Sequence, residues 1–267
     1  MKYSIRHIIT LLAAVLCSAC VHEQDMPVAP LQGTFSLGLS TDLAVEVETR
    51  AAVQLTSDEA ADYLVTLWDN GMAVWTQKRF ADVTPADCTQ PLNGEYTVTA
   101  ENLTEADAER TNAGWGSRRY AGTSEAFTLV ANQTTHVAVP CSMTNAGLTV
   151  VFEKSFTDFF TDYAVTTDDR RALKFSSEDE PSDGVYPTAF YNIPDGGASL
   201  SLDVIITAAA GWDGTTRLTR TLTLQPGRII RLHIYKGIPE PVTGTMGIFI
   251  TYDETFDEGT TEEVELE

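Results

Sequence analysis

One stretch of this chain is written twice, and that repetition limits the fold more than any other feature. Phe127-Thr-Leu129 leads through Val130-Ala-Asn132-Gln133 into Thr134-Thr-His136-Val137-Ala-Val139. About a hundred residues later, in the same register, Leu222-Thr-Leu224 leads through Gln225-Pro226-Gly227-Arg228 into Ile229-Ile-Arg231-Leu232-His-Ile234. Each copy reads as strand, tight turn, strand, because apolar residues alternate with polar ones on both sides of turn-forming residues. A second echo follows each copy: Gly147-Leu-Thr-Val-Val-Phe152-Glu-Lys-Ser-Phe156, then Gly247-Ile-Phe-Ile-Thr-Tyr252-Asp-Glu-Thr-Phe256. A fixed internal period sets the domain count. Here it divides the chain into two related β domains, 33–145 and 146–253.

Gly33-Thr-Phe35-Ser-Leu37-Gly-Leu39 has the same alternation as the two later echoes, so an opening strand of one type occurs three times around two domain bodies. The third copy, Gly244 to Tyr252, has no body after it; it completes the second domain or is offered to a neighbouring molecule. Leu43-Ala-Val45-Glu-Val47-Glu-Thr49 continues the first opening strand and ends at Arg50-Ala51. Tyr63 to Trp68 and Met72 to Trp75 flank Asn70-Gly71, the strongest short-range hairpin signal. Leu92-Asn-Gly94-Glu-Tyr96-Thr-Val98-Thr-Ala100 reads as a turn feeding a strand, with Tyr96 as a tyrosine corner whose hydroxyl ties the loop back. Residues 101–110 are compatible with a helix, and 112–122 form a Gly-rich loop holding Trp115 and Tyr120. In the second half, six strand candidates alternate with turns such as Asp195-Gly196-Gly197. Many short strands with almost no helical periodicity make this an all-β chain of two tandem β-sandwiches. From Asp253 onward there are eight acidic residues and no basic one, which reads as a solvated tail over 254–267.

The N-terminus is built as a signal. Lys2 and Arg6 precede an apolar run from Ile8 to Leu16, too short to span a bilayer and followed by small residues. Ser18-Ala19 before Cys20 suit the peptidase that releases lipoproteins, although Cys17 stands where Leu is usual. The reading is a lipoprotein signal peptide over 1–19, acylation of Cys20 and a tether over 20–32. Each buried methylene of the lipid contributes about 0.8 kcal/mol, so two or three chains hold a protein on its membrane. The expected location is the outer membrane, at the cell surface.

Composition narrows the function by exclusion. A formal net charge of -21 removes nucleic acid as a partner, since binding it needs Lys and Arg to displace counterions. No phosphate loop, dinucleotide fingerprint, metalloprotease helix or nucleophile elbow occurs, so the chain reads as non-enzymatic, with no cofactor and no metal. His136 and His233 fall at strand positions, and His136 aligns with Arg231 in the repeat, so neither marks a repeated functional position. The acidic clusters Asp168-Asp169, Glu178-Asp179-Glu180 with Asp183, and Asp195 have the carboxylates a hard cation such as calcium takes, but none has the fixed ligand spacing of a known calcium loop. Trp115 with Tyr120 is the candidate glycan contact, set against the plainer reading that both anchor a loop. Cys88 and Cys141 lie in an oxidising compartment; they form a disulfide, worth about 4 kcal/mol in the chain-entropy model, or remain two buried thiols.

Several of these residues carry a resemblance. Gly33-x-Phe35-x-Leu37-x-Leu39, Glu48-Thr49-Arg50-Ala51, Leu92-x-Gly94-x-Tyr96-x-Val98-x-Ala100, Tyr120-x-Gly122 and Cys141-x-Met143-x-Asn145 resemble the domain-of-unknown-function 4493 family, found on lipoproteins of gut anaerobes. That family in turn resembles the fimbrillins and fimbrillin-like adhesins. The likeness covers roughly residues 30–165, and the second half resembles the group in architecture. It implies two transthyretin-like sandwiches, surface export and membership of a pilus-type assembly. It also implies cleavage by a trypsin-like protease after an Arg behind the first strands, a position held here by Arg50-Ala51, and refilling of the resulting groove by a neighbour's strand. The plainer reading of Arg50 is that it ends a strand in solvent. The implied partners are other pilus subunits or host receptors, with a glycan-binding lipoprotein of nutrient uptake as the alternative function.

Overall fold

The computed structural model describes residues 31–41, 53–171, 173–181, 186–194, 197, 199–210, 214–236, 248–256 and 262–265. In the first half, β1 (Gln32–Thr41), β2 (Val53–Gln54), β3 (Leu64–Asp69), β4 (Met72–Arg79), β5 (Thr89–Pro91), β6 (Tyr96–Glu101), β7 (Tyr120–Thr123) and β8 (Thr134–Met143) form one continuous hydrogen-bonded path. Its order is β2-β1-β8-β7-β6-β3-β4, with β5 joined to β1. Helix α1 (Ser57–Ala60) precedes β3, and α2 (Glu105–Arg110) lies between β6 and β7. The path encloses Phe35, Leu39, Val65, Leu67, Tyr96, Val98, Val137, Val139 and Cys141. Period-two patterning produces this directly: on β8, Val137, Val139, Cys141 and Met143 are buried and the residues between them are exposed.

Two local predictions hold. Asn70 and Gly71 both take positive φ, 47° and 79°, and close the β3–β4 hairpin as a primed turn does. Tyr96 is 1% exposed and its hydroxyl donates to the carbonyl of Pro91 at 2.8 Å, which ties the loop to the strand.

The second half is a two-sheet sandwich. β9 (Asn145–Phe152), α3 (Lys154–Thr157), β10 (Asp162–Thr167), β11 (Lys174–Ser176), β12 (Ala189–Asn192), β13 (Leu200–Ala210), β14 (Gly214–Leu224), β15 (Arg228–Lys236), β16 (Ile248–Phe256) and β17 (Glu262–Glu265) follow in order. One sheet runs β11-β10-β13-β14 and the other β12-β9-β15-β16-β17. Between them lies a core that includes Leu148, Val150, Phe156, Phe175, Ile206, Leu224, Leu232 and Ile234.

The repeat appears in the strand pairing. β1 runs parallel to β8 and β9 runs parallel to β15, so in each half the opening strand lies beside the closing one. Phe35 faces Thr135 while Leu148 faces Ile230, and Thr135 and Ile230 are equivalent in the duplicated stretch. The turns match as well, since Asn132 and Gly227 both take positive φ, 62° and 73°. Thr144 alone separates β8 from β9.

Two expectations change and one alternative is settled. The strand expected at 125–130 is reduced to one bridge, Tyr96 with Phe127, whereas its repeat partner is the 11-residue β14. Of the two alternatives for the third opening strand the structure has the first: as β16 it joins the second sandwich, antiparallel to β15 along nine positions. The acidic stretch is not simply a tail, because β16 extends to Phe256 and β17 pairs with it from Glu262 to Glu265. Glutamates on a short edge strand discourage unwanted strand pairing, and the same charges conceal the strand from a hydropathy reading.

Candidate functional site: the opening strand and the domain junction

β1 is hydrogen-bonded along both of its sides. Along one edge it pairs with β8 at eight consecutive positions, Thr34 with Thr134 through Thr41 with Cys141. Along the other it is tied near its ends, by β5 at Gln32 to Thr34, by Phe35 N–H donating to Cys88 O and by Leu55 N–H donating to Leu39 O, with β2 beyond at Ser40 and Thr41. Phe35 and Leu39, 3% and 1% exposed, plug the first core from this strand. Each contributes about 1.5–3 kcal/mol of burial. Among the described residues, Ser36 to Gly38 are the stretch of β1 between these two groups of ties.

Cys20, Arg50 and Ala51 lie outside the described residues. Cys88 and Cys141 are free thiols, the second of the two alternatives left open by the sequence. The reason is position along β1. Cys88 meets Phe35 and Cys141 faces Thr41, six residues further on. That separation is about 20 Å at roughly 3.3 Å per residue, whereas a disulfide needs Cα atoms within about 7 Å. Burial raises both thiol pKa values, Cys141 to about 11.

Trp115 does not stand free as a platform. Its loop crosses to the second sandwich and packs edge-on against Phe175, ring centroids 4.9 Å apart. Phe190 N–H donates to Trp115 O at 2.7 Å, and Asn192 Nδ2 donates to Glu105 O at 2.8 Å. Arg171 reaches up from the second domain, donating to Phe190 O at 2.7 Å and Gly114 O at 3.3 Å while Asp169 holds its Nε at 2.7 Å. Its guanidinium also stacks 4.3 Å from the Tyr191 ring centroid. Arg170 and Glu109 add an ion pair. Because β12 is the outer strand of its sheet, this brace covers an edge that would otherwise be open.

The brace demands unusual backbone. Asn112, Ala113 and Gly114 are left-handed in succession, at about 1 kcal/mol for each non-glycine residue. Gly116 permits the close approach: a Cβ there would lie 2.9 Å from Ala108 O and 3.1 Å from Phe190 O. The connection between domains is pinned from the same loop, since Asn145, 1% exposed, donates to Ser117 O at 2.7 Å and accepts from Arg119 N at 3.0 Å. Arg119 itself binds Glu101 at 2.7 Å and Thr144 at 3.2 Å. Neither Arg171 nor Phe190 belongs to a motif, and Asn145 stands in Cys141-x-Met143-x-Asn145 without any sign of its partners; their roles come from contacts between residues far apart in sequence.

Trp115 and Tyr120 do line one recess of about 550 Å³ at the junction, with Asn102, Arg118, Thr188 and Phe190. Much of its polar lining is already engaged: Asn102 bonds Arg118 O and Tyr120 N, and Thr188 shares a 2.8 Å hydrogen bond with Thr149. The strand histidines have local partners, His136 with Ser36 at 2.6 Å and His233 with Glu153 at 2.7 Å. Of the acidic clusters, Asp169 serves Arg171, Asp179 accepts from Ser176 and Glu180 from Tyr163.

Among solved structures, the fold is similar to a fimbrial assembly protein from Parabacteroides distasonis ATCC 8503. The two are 13% identical with a TM-score of 0.46, over 88% of this chain and 99% of that one. It is also similar to the fimbrial anchor protein Mfa2 from Porphyromonas gingivalis, 12% identical with a TM-score of 0.38, over 82% of this chain and 97% of that one. No curated protein matches. The family model described as Domain of unknown function (DUF4493) matches residues 32–267, both sandwiches where the sequence motifs mark out mainly the first. The chain belongs to that family.

Proposed function

We propose that the protein is a non-enzymatic cell-surface protein, exported as a lipoprotein acylated at Cys20 and released from that anchor by cleavage after Arg50, that serves as a fimbrillin-like structural or adhesin subunit of a pilus-type assembly joined by strand addition. The observation that carries this reading is the setting of β1: eight parallel pairs with β8 and two core plugs in Phe35 and Leu39. Arg50-Ala51 follows β1 in sequence. Cleavage there frees β1 from its covalent tie and lets it leave, exposing the amides and carbonyls of β8 beside the vacated sites of Phe35 and Leu39. An alternating strand from a neighbouring subunit satisfies both, through main-chain hydrogen bonds and through side chains that refill the core. β9 is the same element in the second half, but it is covalently continuous at both ends, so only β1 is a candidate for release.

Mass spectrometry of the mature protein on intact cells tests the reading, comparing wild type with Arg50→Ala. Expected is a new N-terminus at Ala51 in assembled wild-type material and loss of assembly in the variant. If every molecule begins at acylated Cys20 and none assembles, the polymerising reading is falsified.

A second reading is a glycan-binding lipoprotein of a nutrient-uptake system, favoured by the convergence of Trp115 and Tyr120 on one recess. The engaged state of the recess's polar groups weighs against it. A glycan array without signal for the wild-type protein removes it.

A further inference from the structure

The two sheets of the second sandwich are unequal in a directed way. β14 and β15 are joined by the turn Gln225-Pro226-Gly227 yet belong to different layers. β14 ends its four-stranded sheet, whereas β15 is followed outward by β16 and β17. Two strands of one layer therefore project beyond the last strand of the other. On the projecting ledge, β16 pairs with β15 at nine consecutive positions from Ile248 to Phe256. Beside that ledge, β14 presents an outer edge unpaired among the described residues, along a strand paired on its inner side at eleven positions without a register shift.

Charge is segregated across the same step. From Gly214 to Pro239 there are five basic residues and no acidic one, in a chain of net charge -21. Arg217 and Arg220 are exposed on β14 itself. The outermost strand of the projecting ledge reads Glu262-Glu263-Val264-Glu265. One edge strand of this domain is thus basic and the other acidic, and both lie on the same side of the sandwich.

We propose that the second sandwich pairs with a second copy about a two-fold axis, β14 of each copy adding to β17 of the other. In this arrangement each four-stranded sheet is continued by the partner's five-stranded sheet. The two projecting ledges then lie face to face. The contact is isologous and closes on itself, so it yields a pair and not a fibre. Without local complementarity the overall charge would hold two copies apart; at this step the Arg217–Arg220 edge meets the glutamate edge twice. The pairing uses neither β1 nor the segment around Arg50, so it is independent of the strand-addition reading and survives or fails separately from it.

The test is the mass of the full chain in solution, carrying Cys20→Ala so that no lipid drives association, by sedimentation equilibrium across a salt series. Expected is a dimer at low salt that dissociates as salt rises. Arg217→Glu with Arg220→Glu weakens the dimer by about tenfold or more, and so does Glu263→Lys with Glu265→Lys. Mixing the two variants restores a heterodimer in which both edge pairs are complementary, one with native charges and one with the charges exchanged, a rescue that general damage to the fold cannot produce. Circular dichroism and denaturation midpoints close to wild type confirm that each variant is folded. A chain that stays monomeric at all concentrations overturns the proposal, and so does a dimer indifferent to both charge reversals or a pair of variants that fails to recombine.

Discussion

The indole of Trp115 meets the ring of Phe175 edge-on, centroids 4.9 Å apart and planes at 77°, so an aromatic side chain of the first domain completes the core of the second. Edge-on aromatic pairs add about 0.5–1.5 kcal/mol beyond their buried area. With Arg171, Phe190 and Asn192 holding the same loop, the two sandwiches are braced and not merely strung together.

Trp115→Ala is therefore expected to lower stability by about 3 kcal/mol, the range for removing an enclosed aromatic. The loss should fall on the second domain and on the coupling between domains. Denaturant unfolding followed separately by probes in each half checks this. A single transition in the wild type should split into two in the variant, and retention of one unchanged transition would show that the loop is not a brace.

Tyr96→Phe isolates one hydrogen bond. The ring stays packed against Phe127, centroids 5.8 Å apart, while the carbonyl of Pro91 loses its donor. The expected loss is about 1 kcal/mol, the usual net value for such a bond, read as a shift in denaturation midpoint without a change in its slope.

What could be read from the sequence follows the range of the interactions. The Asn70-Gly71 hairpin and the Tyr96 corner are set within a few residues, and both are where their motifs place them. The duplication reappears in the pairing, β1 with β8 and β9 with β15, because each copy carries its own period. Pairing partners were not legible: nothing in Gly33 to Leu39 says that its neighbour is Thr134 to Val139 and that the pair is parallel. The same limit hid the contact of Trp115 with Phe175, since a Gly-rich loop shows no period that points to its destination. It also left Cys88 and Cys141 undecided, because their separation is fixed by where each meets β1.

Asp87 governs the acid side. It pairs with Lys78, and its second carboxylate oxygen accepts from Thr84 N–H at 2.9 Å and from the Thr84 hydroxyl at 2.7 Å. These bonds, the one from Lys78 first, hold its pKa down at about 2. A carboxylate with a depressed folded-state pKa contributes stability above its unfolded pKa and loses it as pH falls through the folded one. Asp87→Asn should lower stability by about 1 kcal/mol at neutral pH, with the difference from wild type disappearing between about pH 4 and pH 2. A difference that persists at pH 2 would assign the effect to packing instead.

The thiols govern part of the alkaline side, and here the sign reverses. Cys141 is 1% exposed and burial raises its pKa to about 11. In the unfolded chain a thiol ionises near about 8.5. Above that pH the unfolded state has released a proton that the folded state retains, so the stability owed to Cys141 falls by up to about 1.4 kcal/mol per pH unit until the folded thiol also ionises. The advantage of wild type over Cys141→Ala should therefore shrink between about pH 9 and pH 11, while comparison with the variant cancels the contribution of the buried tyrosines. Thiol labelling under native conditions supplies the independent check. Half-buried Cys88 should react before Cys141, and both should react without prior reduction. Labelling that appears only after a reductant is added would restore the disulfide and require β1 to be displaced from between the two cysteines.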